Sequence, residues 1–252
     1  MRDELDRKPA AALDLRKMTQ ARVRLGRFGA GLPTRAAQTF LLDHARARQA
    51  VWSDVNWRPV GAGLADLELG IVEVESQAPD RATYVRRPDL GRKLSLQAAE
   101  RLAAIRSNHD ILIVIADGLS ASAIDTNARL LTRAIVERLS ARQLSIAPLV
   151  LASQARVALA DPIAEIVGAR ISIVLIGERP GLSAADSLGV YMTCSPRPGT
   201  PDSRRNCISN VRIGGLAIDS AADGVASLVS DMLRTGVSGV GLKDAMAALP
   251  RD

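Results

Sequence analysis

Histidine and cysteine, the side chains that most often ligate metals or move protons at neutral pH, are scarce in this chain. His44 and His109 are the two histidines, and Cys194 and Cys207 the two cysteines. None stands at zinc-site spacing from another, so no metal site is expected. Serine hydrolysis would need G-x-S-x-G, which Gly118-Leu-Ser-Ala-Ser and Gly181-Leu-Ser-Ala-Ala both lack. There is no G-x-x-x-x-G-K-[ST] loop for a nucleoside triphosphate. Gly26, Gly29 and Gly31 do not stand in the order G-x-G-x-x-G. The loop after Asp110–Ala116 holds a single glycine, Gly118, where a dinucleotide fingerprint needs three close together. No residue is therefore assigned a catalytic role. The polar residues that remain sit where apolar runs stop: Asp117-Gly-Leu-Ser, Gln154-Ala-Arg-Val-Ala and Gly177-Glu-Arg-Pro. Glu178 and Arg179 could meet a ligand there or pair with each other.

These loops need strands to present them on one side. Ile171–Ile176 is apolar and rich in β-branched residues, and is closed by Gly177 and Pro180. Such a run predicts a strand buried on both faces of a parallel sheet. Asp110–Asp117 and Ile146–Leu151 read the same way. The segments between them predict helices: one from the Ser95 cap to about Arg106, one of roughly 20 residues to about Arg142, and a short one over Asp161–Gly168. This alternation gives an α/β fold: a Rossmann-like parallel sheet with flanking helices. Gly189–Cys194, Asn206–Arg212 and a last helix from about Ser220 to Arg234 follow. In such sheets ligands lie across the carboxyl ends of the strands, where all three polar loops would meet.

The first 93 residues are less regular. A charged, Ala- and Leu-rich stretch over about the first 20 predicts a docked helix or a tail, and a helix is expected through Leu41–Val51 with Thr34 as its N-cap. Residues 52–93 read as loop punctuated by prolines and glycines around a strand-like Gly70–Glu75. The expected division is a mainly helical and irregular N-terminal region over residues 1–93 and a Rossmann-like domain over 94–252.

Hydrophobic residues make up 47% of the chain and aromatics only 2%, so the core must be aliphatic, which favours a helix-covered sheet. The net charge of +6 is dispersed among acids, and so few aromatics cannot build a stacking platform. Nucleic acid is therefore not expected as a partner. No apolar stretch is long enough to span a bilayer and the charged start has no apolar signal segment, so no membrane association is expected.

Seven ordered segments together resemble the small subunit of ethanolamine ammonia-lyase: Gly26–Arg35, Asp43–Arg48, Arg87–Ser95, Ala116–Ala121, Leu175–Ser183, Asp186–Gly189 and Arg205–Asn210. The resemblance implies one chain of an adenosylcobalamin-dependent hetero-oligomer that converts ethanolamine to acetaldehyde and ammonia. Its partner would be a large subunit with a TIM barrel that holds the substrate, the small subunit covering the cofactor and being inactive alone. By motif, the resemblance implies that Val157, Glu178 and Cys207 contact the cobalamin. Neither histidine stands in the Asp-x-His-x-x-Gly motif of base-off cobalamin proteins, so the cofactor is expected base-on. A cytoplasmic location is implied, with packaging into a bacterial microcompartment known among similar proteins. Two other readings stay open from the residues alone: a stand-alone nucleotide-binding oxidoreductase on the same sheet, and a non-catalytic scaffold whose Arg22–Arg48 segment docks an acidic protein.

Overall fold

Strands Ile71–Glu75 (β1), His109–Ala116 (β2), Leu149–Ser153 (β3), Ala169–Gly177 (β4), Leu188–Cys194 (β5) and Asn206–Val211 (β6) form one six-stranded sheet in the computed structural model. Residues 18, 22–23, 25–27 and 29–248 are described, so the expected helix or tail over the first 20 residues lies almost wholly outside the described residues. Strand order is β1-β3-β2-β4-β5-β6. The first four run parallel, and β5 is antiparallel to both its neighbours. The sheet is thus mixed. Only residues 178–187 join β4 to β5, fewer than a crossover needs, so the chain must turn back on itself.

Helices Thr34–Trp52 (α1), Trp57–Ala62 (α2), Arg81–Arg86 (α3) and Leu96–Ala103 (α4) precede β2. Ala121–Ala123 (α5), a π-helical turn over Ile124–Ala128, and Arg129–Ser140 (α6) join β2 to β3. Ala160–Val167 (α7) joins β3 to β4, and Ile218–Thr235 (α8) and Leu242–Ala247 (α9) follow β6. The apolar runs are continuous because both faces of the sheet are covered. Along β2, Ile111, Ile113 and Ile115 enter a core with α6 and α8, while Leu112, Val114 and Ala116 enter a second core with α4 and α7. Each buried Ile, Leu or Val among these stabilises the fold by roughly 1.5–3 kcal/mol.

Ser95 caps α4 through its side chain, accepting from Ala98 N at 3.1 Å. Gly168 ends α7 at φ 85°. Thr34 does not cap α1: it is the first helical residue, and Pro33 holds the cap position without a side-chain bond. β3 begins at Leu149 because Pro148 has no N–H to give the ladder. Residues 52–93, read as mainly loop, contribute β1 as an edge strand, with α2 and α3 around it.

Candidate functional site

The carboxyl ends of β2, β3 and β4 converge on one cleft of about 440 Å³, lined by Tyr84, Gly118, Leu119, Arg156, Val157, Ile176, Gly177, Glu178, Arg179 and Tyr191. Val157 and Glu178 therefore share one wall-to-wall space. Cys207 is not among its lining residues and lies in β6 rather than in a loop. It pairs across the ladder with Tyr191, which does line the cleft. Its thiol is raised above its ordinary value, by desolvation first and then by the Glu178 carboxylate, with the Tyr191 hydroxyl pulling the other way. Burial, and then Cys207, raise the Tyr191 phenol as well.

Glu178 is held from below. Its Oε2 accepts a short hydrogen bond from Ser187 Oγ and another from Asn210 N at 3.2 Å. A Cβ at Gly189 would come within 3.0 Å of its Oε1, so glycine makes room for this carboxylate. Glu178 is thus anchored by Ser187, just before β5, and by β6 rather than by Arg179 next to it.

On the other side, Tyr84 is fully buried and its hydroxyl donates to Ala155 O at 2.9 Å. The Arg81 and Arg156 guanidinium carbons lie 4.8 and 4.3 Å from its ring centroid, within cation–π range. The 3-10 turn Leu90–Arg92 closes this stack. Gly91 O accepts from Arg156 N at 2.8 Å. A Cβ on Gly91 would lie 2.9 Å from the Tyr84 ring and 3.0 Å from Arg156, so only glycine fits there.

Neither tyrosine was among the residues singled out from sequence. Tyr84 lies in the segment read as irregular, where no periodicity marks it. Tyr191 carried a usable signal: on β5 the buried Val190 and Met192 enter one core, so the period of two puts Tyr191 on the opposite face. Among the described residues, no three His, Cys, Asp or Glu side chains come together as metal ligands. His109 opens β2 at the opposite edge of the sheet, roughly 23 Å along the strand from Ala116. His44 lies on α1, its ring stacked with Phe40. No helix among the described residues is long and apolar enough to cross a membrane.

The family model described as ethanolamine ammonia-lyase light chain (EutC) matches residues 9–243. The chain belongs to that family. Proteins named ethanolamine ammonia-lyase small subunit are similar to it along nearly their whole length. The one from Bradyrhizobium diazoefficiens is 49% identical over 237 residues, covering 93% of this chain and 91% of the relative. That from Azotobacter vinelandii is 47% identical over 246 residues, covering 95% and 91%. That from Rhodopseudomonas palustris is 46% identical over 232 residues, covering 92% and 89%. All seven segments that carried the light-chain resemblance fall within the matched range. Five of them meet at or beneath the cleft: Arg87–Ser95 through Gly91, Ala116–Ala121 through Gly118, Leu175–Ser183 through Glu178, Asp186–Gly189 through Ser187, and Arg205–Asn210 through Cys207 and Asn210.

Proposed function

We propose that this light chain is the small subunit of an adenosylcobalamin-dependent ethanolamine ammonia-lyase, inactive alone and covering the cofactor at its interface with a catalytic large subunit. The observation that carries the reading is the meeting of Val157 and Glu178 in one cleft at the carboxyl edge, with Cys207 joined to it through Tyr191. The donor set suits cobalamin, whose corrin rim bears neutral amides. Glu178 would accept from amide N–H groups, Arg156, Arg179 and Tyr191 would donate to amide oxygens, and Val157 would offer an apolar contact. When bound, adenosylcobalamin supplies the radical chemistry, which belongs to the cofactor. This chain's own residues would bind and orient it and shield from water the part of it that enters the cleft. Both histidines of this chain lie away from the cleft, so neither would replace the base that a bound cobalamin carries itself.

The cleft is smaller than cobalamin, so a second surface must complete the enclosure, and the large subunit with its TIM barrel supplies it. Residues 1–93 dock that partner, with α1 exposing Phe40, Leu41, Leu42 and Trp52. The hetero-oligomer is cytoplasmic, or packaged in a bacterial microcompartment. Mixing the purified chain with the large subunit, adenosylcobalamin and ethanolamine is expected to produce acetaldehyde. Full activity of the large subunit without this chain would overturn the reading.

A further inference from the structure

Asp117 directly follows β2, is only 4% exposed and does not line the cleft. It gathers four donors instead. Gly118 N and Ala155 N reach Oδ1, each at 2.9 Å, and Gln154 N reaches Oδ2 at 2.7 Å. Arg81 Nη1, on α3, reaches Oδ2 at 3.3 Å, and Arg81 Nε donates to Val51 O at the end of α1 at 2.6 Å. Two of these amides belong to the turn that carries Arg156 and Val157. Gln154 is held there at φ 53°, a conformation that a residue with a side chain seldom adopts unless its surroundings impose it.

We propose that Asp117, clamped by Arg81, is a positioning residue for the cofactor, holding the 154–157 turn so that Val157 and Arg156 face the cleft. This rests on the cobalamin reading above. Apolar packing could bury the end of β2 without an acid, so position is the better account of a carboxylate retained there. No aliphatic or amide side chain reproduces it. An asparagine would turn its NH₂ toward backbone donors and leave at least one of them without an acceptor. The groups that face Asp117 are Arg81 and, through it, Tyr84 from α3, and Gln154 with Arg156 behind it from the β3 turn. Burial pushes the Asp117 carboxyl up to about 6, against the amides and Arg81, so the clamp should loosen on mild acidification.

The test uses the full chain and its complex with the large subunit. In Asp117→Asn, backbone hydrogen exchange is expected to speed up over residues 154–157 while the amides of β2 and β4 stay protected. The dissociation constant for added hydroxocobalamin, read by its visible spectrum, is expected to rise about tenfold. In the wild-type complex it should also rise as pH falls through about 6, and in Asp117→Asn it should not. Arg81→Met, which keeps the carboxylate and removes the clamp, should weaken binding with the same local exchange pattern; it decides the matter if Asp117→Asn unfolds. A variant that binds hydroxocobalamin as wild type does, or a wild-type affinity without that pH step, overturns the positioning role alone. A wild-type complex that binds no cobalamin overturns the proposed function and this inference together.

Discussion

Gly118 and Gly177 meet backbone to backbone: Leu119 N donates to Gly177 O at 2.8 Å, and a Cβ on Gly118 would lie 2.2 Å from that same oxygen. The ends of β2 and β4 are zipped together beneath the candidate cleft, and Gly118 also takes φ 57°. Gly177 has no room either, since its Cβ would lie 2.2 Å from Ser120 O. Gly177→Ala is therefore expected to lower unfolding free energy by about 1–3 kcal/mol, the usual cost of overpacking. Urea denaturation measures it, and an unchanged midpoint would show that the two loops can part freely.

Glu178→Gln keeps the shape of the side chain and removes its charge. Ser187 and Asn210 would then donate to a neutral acceptor, a bond about half as strong. Affinity of the reconstituted complex for adenosylcobalamin should fall about tenfold with little change in melting temperature. An absorbance titration checks it, and equal affinities would remove Glu178 from the binding set.

Away from the cleft, Arg205 and Asp161 form a bidentate pair at 2.8 and 2.7 Å, with side chains 3% and 1% exposed. Arg205 also donates to Thr193 Oγ1 and Thr200 O, tying the 195–205 loop to α7. Arg205→Met would strand a buried carboxylate and should destabilise the fold by about 3–5 kcal/mol. Chemical denaturation of the full chain reads this directly. The double change Arg205→Met with Asp161→Asn should recover part of the loss, because the stranded charge is gone.

Asp117 gives stability a pH dependence of defined sign. Its folded-state value of about 6 lies above the ordinary 3.8, so between those limits the native state binds more protons than the unfolded one. Its contribution is therefore most favourable below the ordinary value and is lost as pH rises through about 6, a change of at most about 3 kcal/mol. Unfolding free energies measured across that window should decline less steeply in Asp117→Asn. Parallel wild-type and variant curves would show that the carboxylate is as well solvated folded as unfolded.

Much of this arrangement was legible in the chain itself, because it depends on local pattern. Ile111–Ala116 is apolar at every position and Ile171–Ile176 at all but Ser172, a pattern that needs both faces covered and so identifies parallel strands and the edge at which Asp117, Gln154 and Glu178 emerge. Ser95 and Gly168 marked helix ends through their own chemistry. The motif segments, read as a set, identified the light-chain family. Tertiary structure alone decided what joins these pieces. Tyr84 lies between Arg81 and Arg156, 75 residues apart in sequence, and Cys207 reaches the site only through the antiparallel pairing that sets it beside Tyr191. Propensity and periodicity act within a few residues. Which strand lies beside which, and which glycine must yield space to a distant side chain, depend on contacts that exist only once the sheet has closed over its two cores.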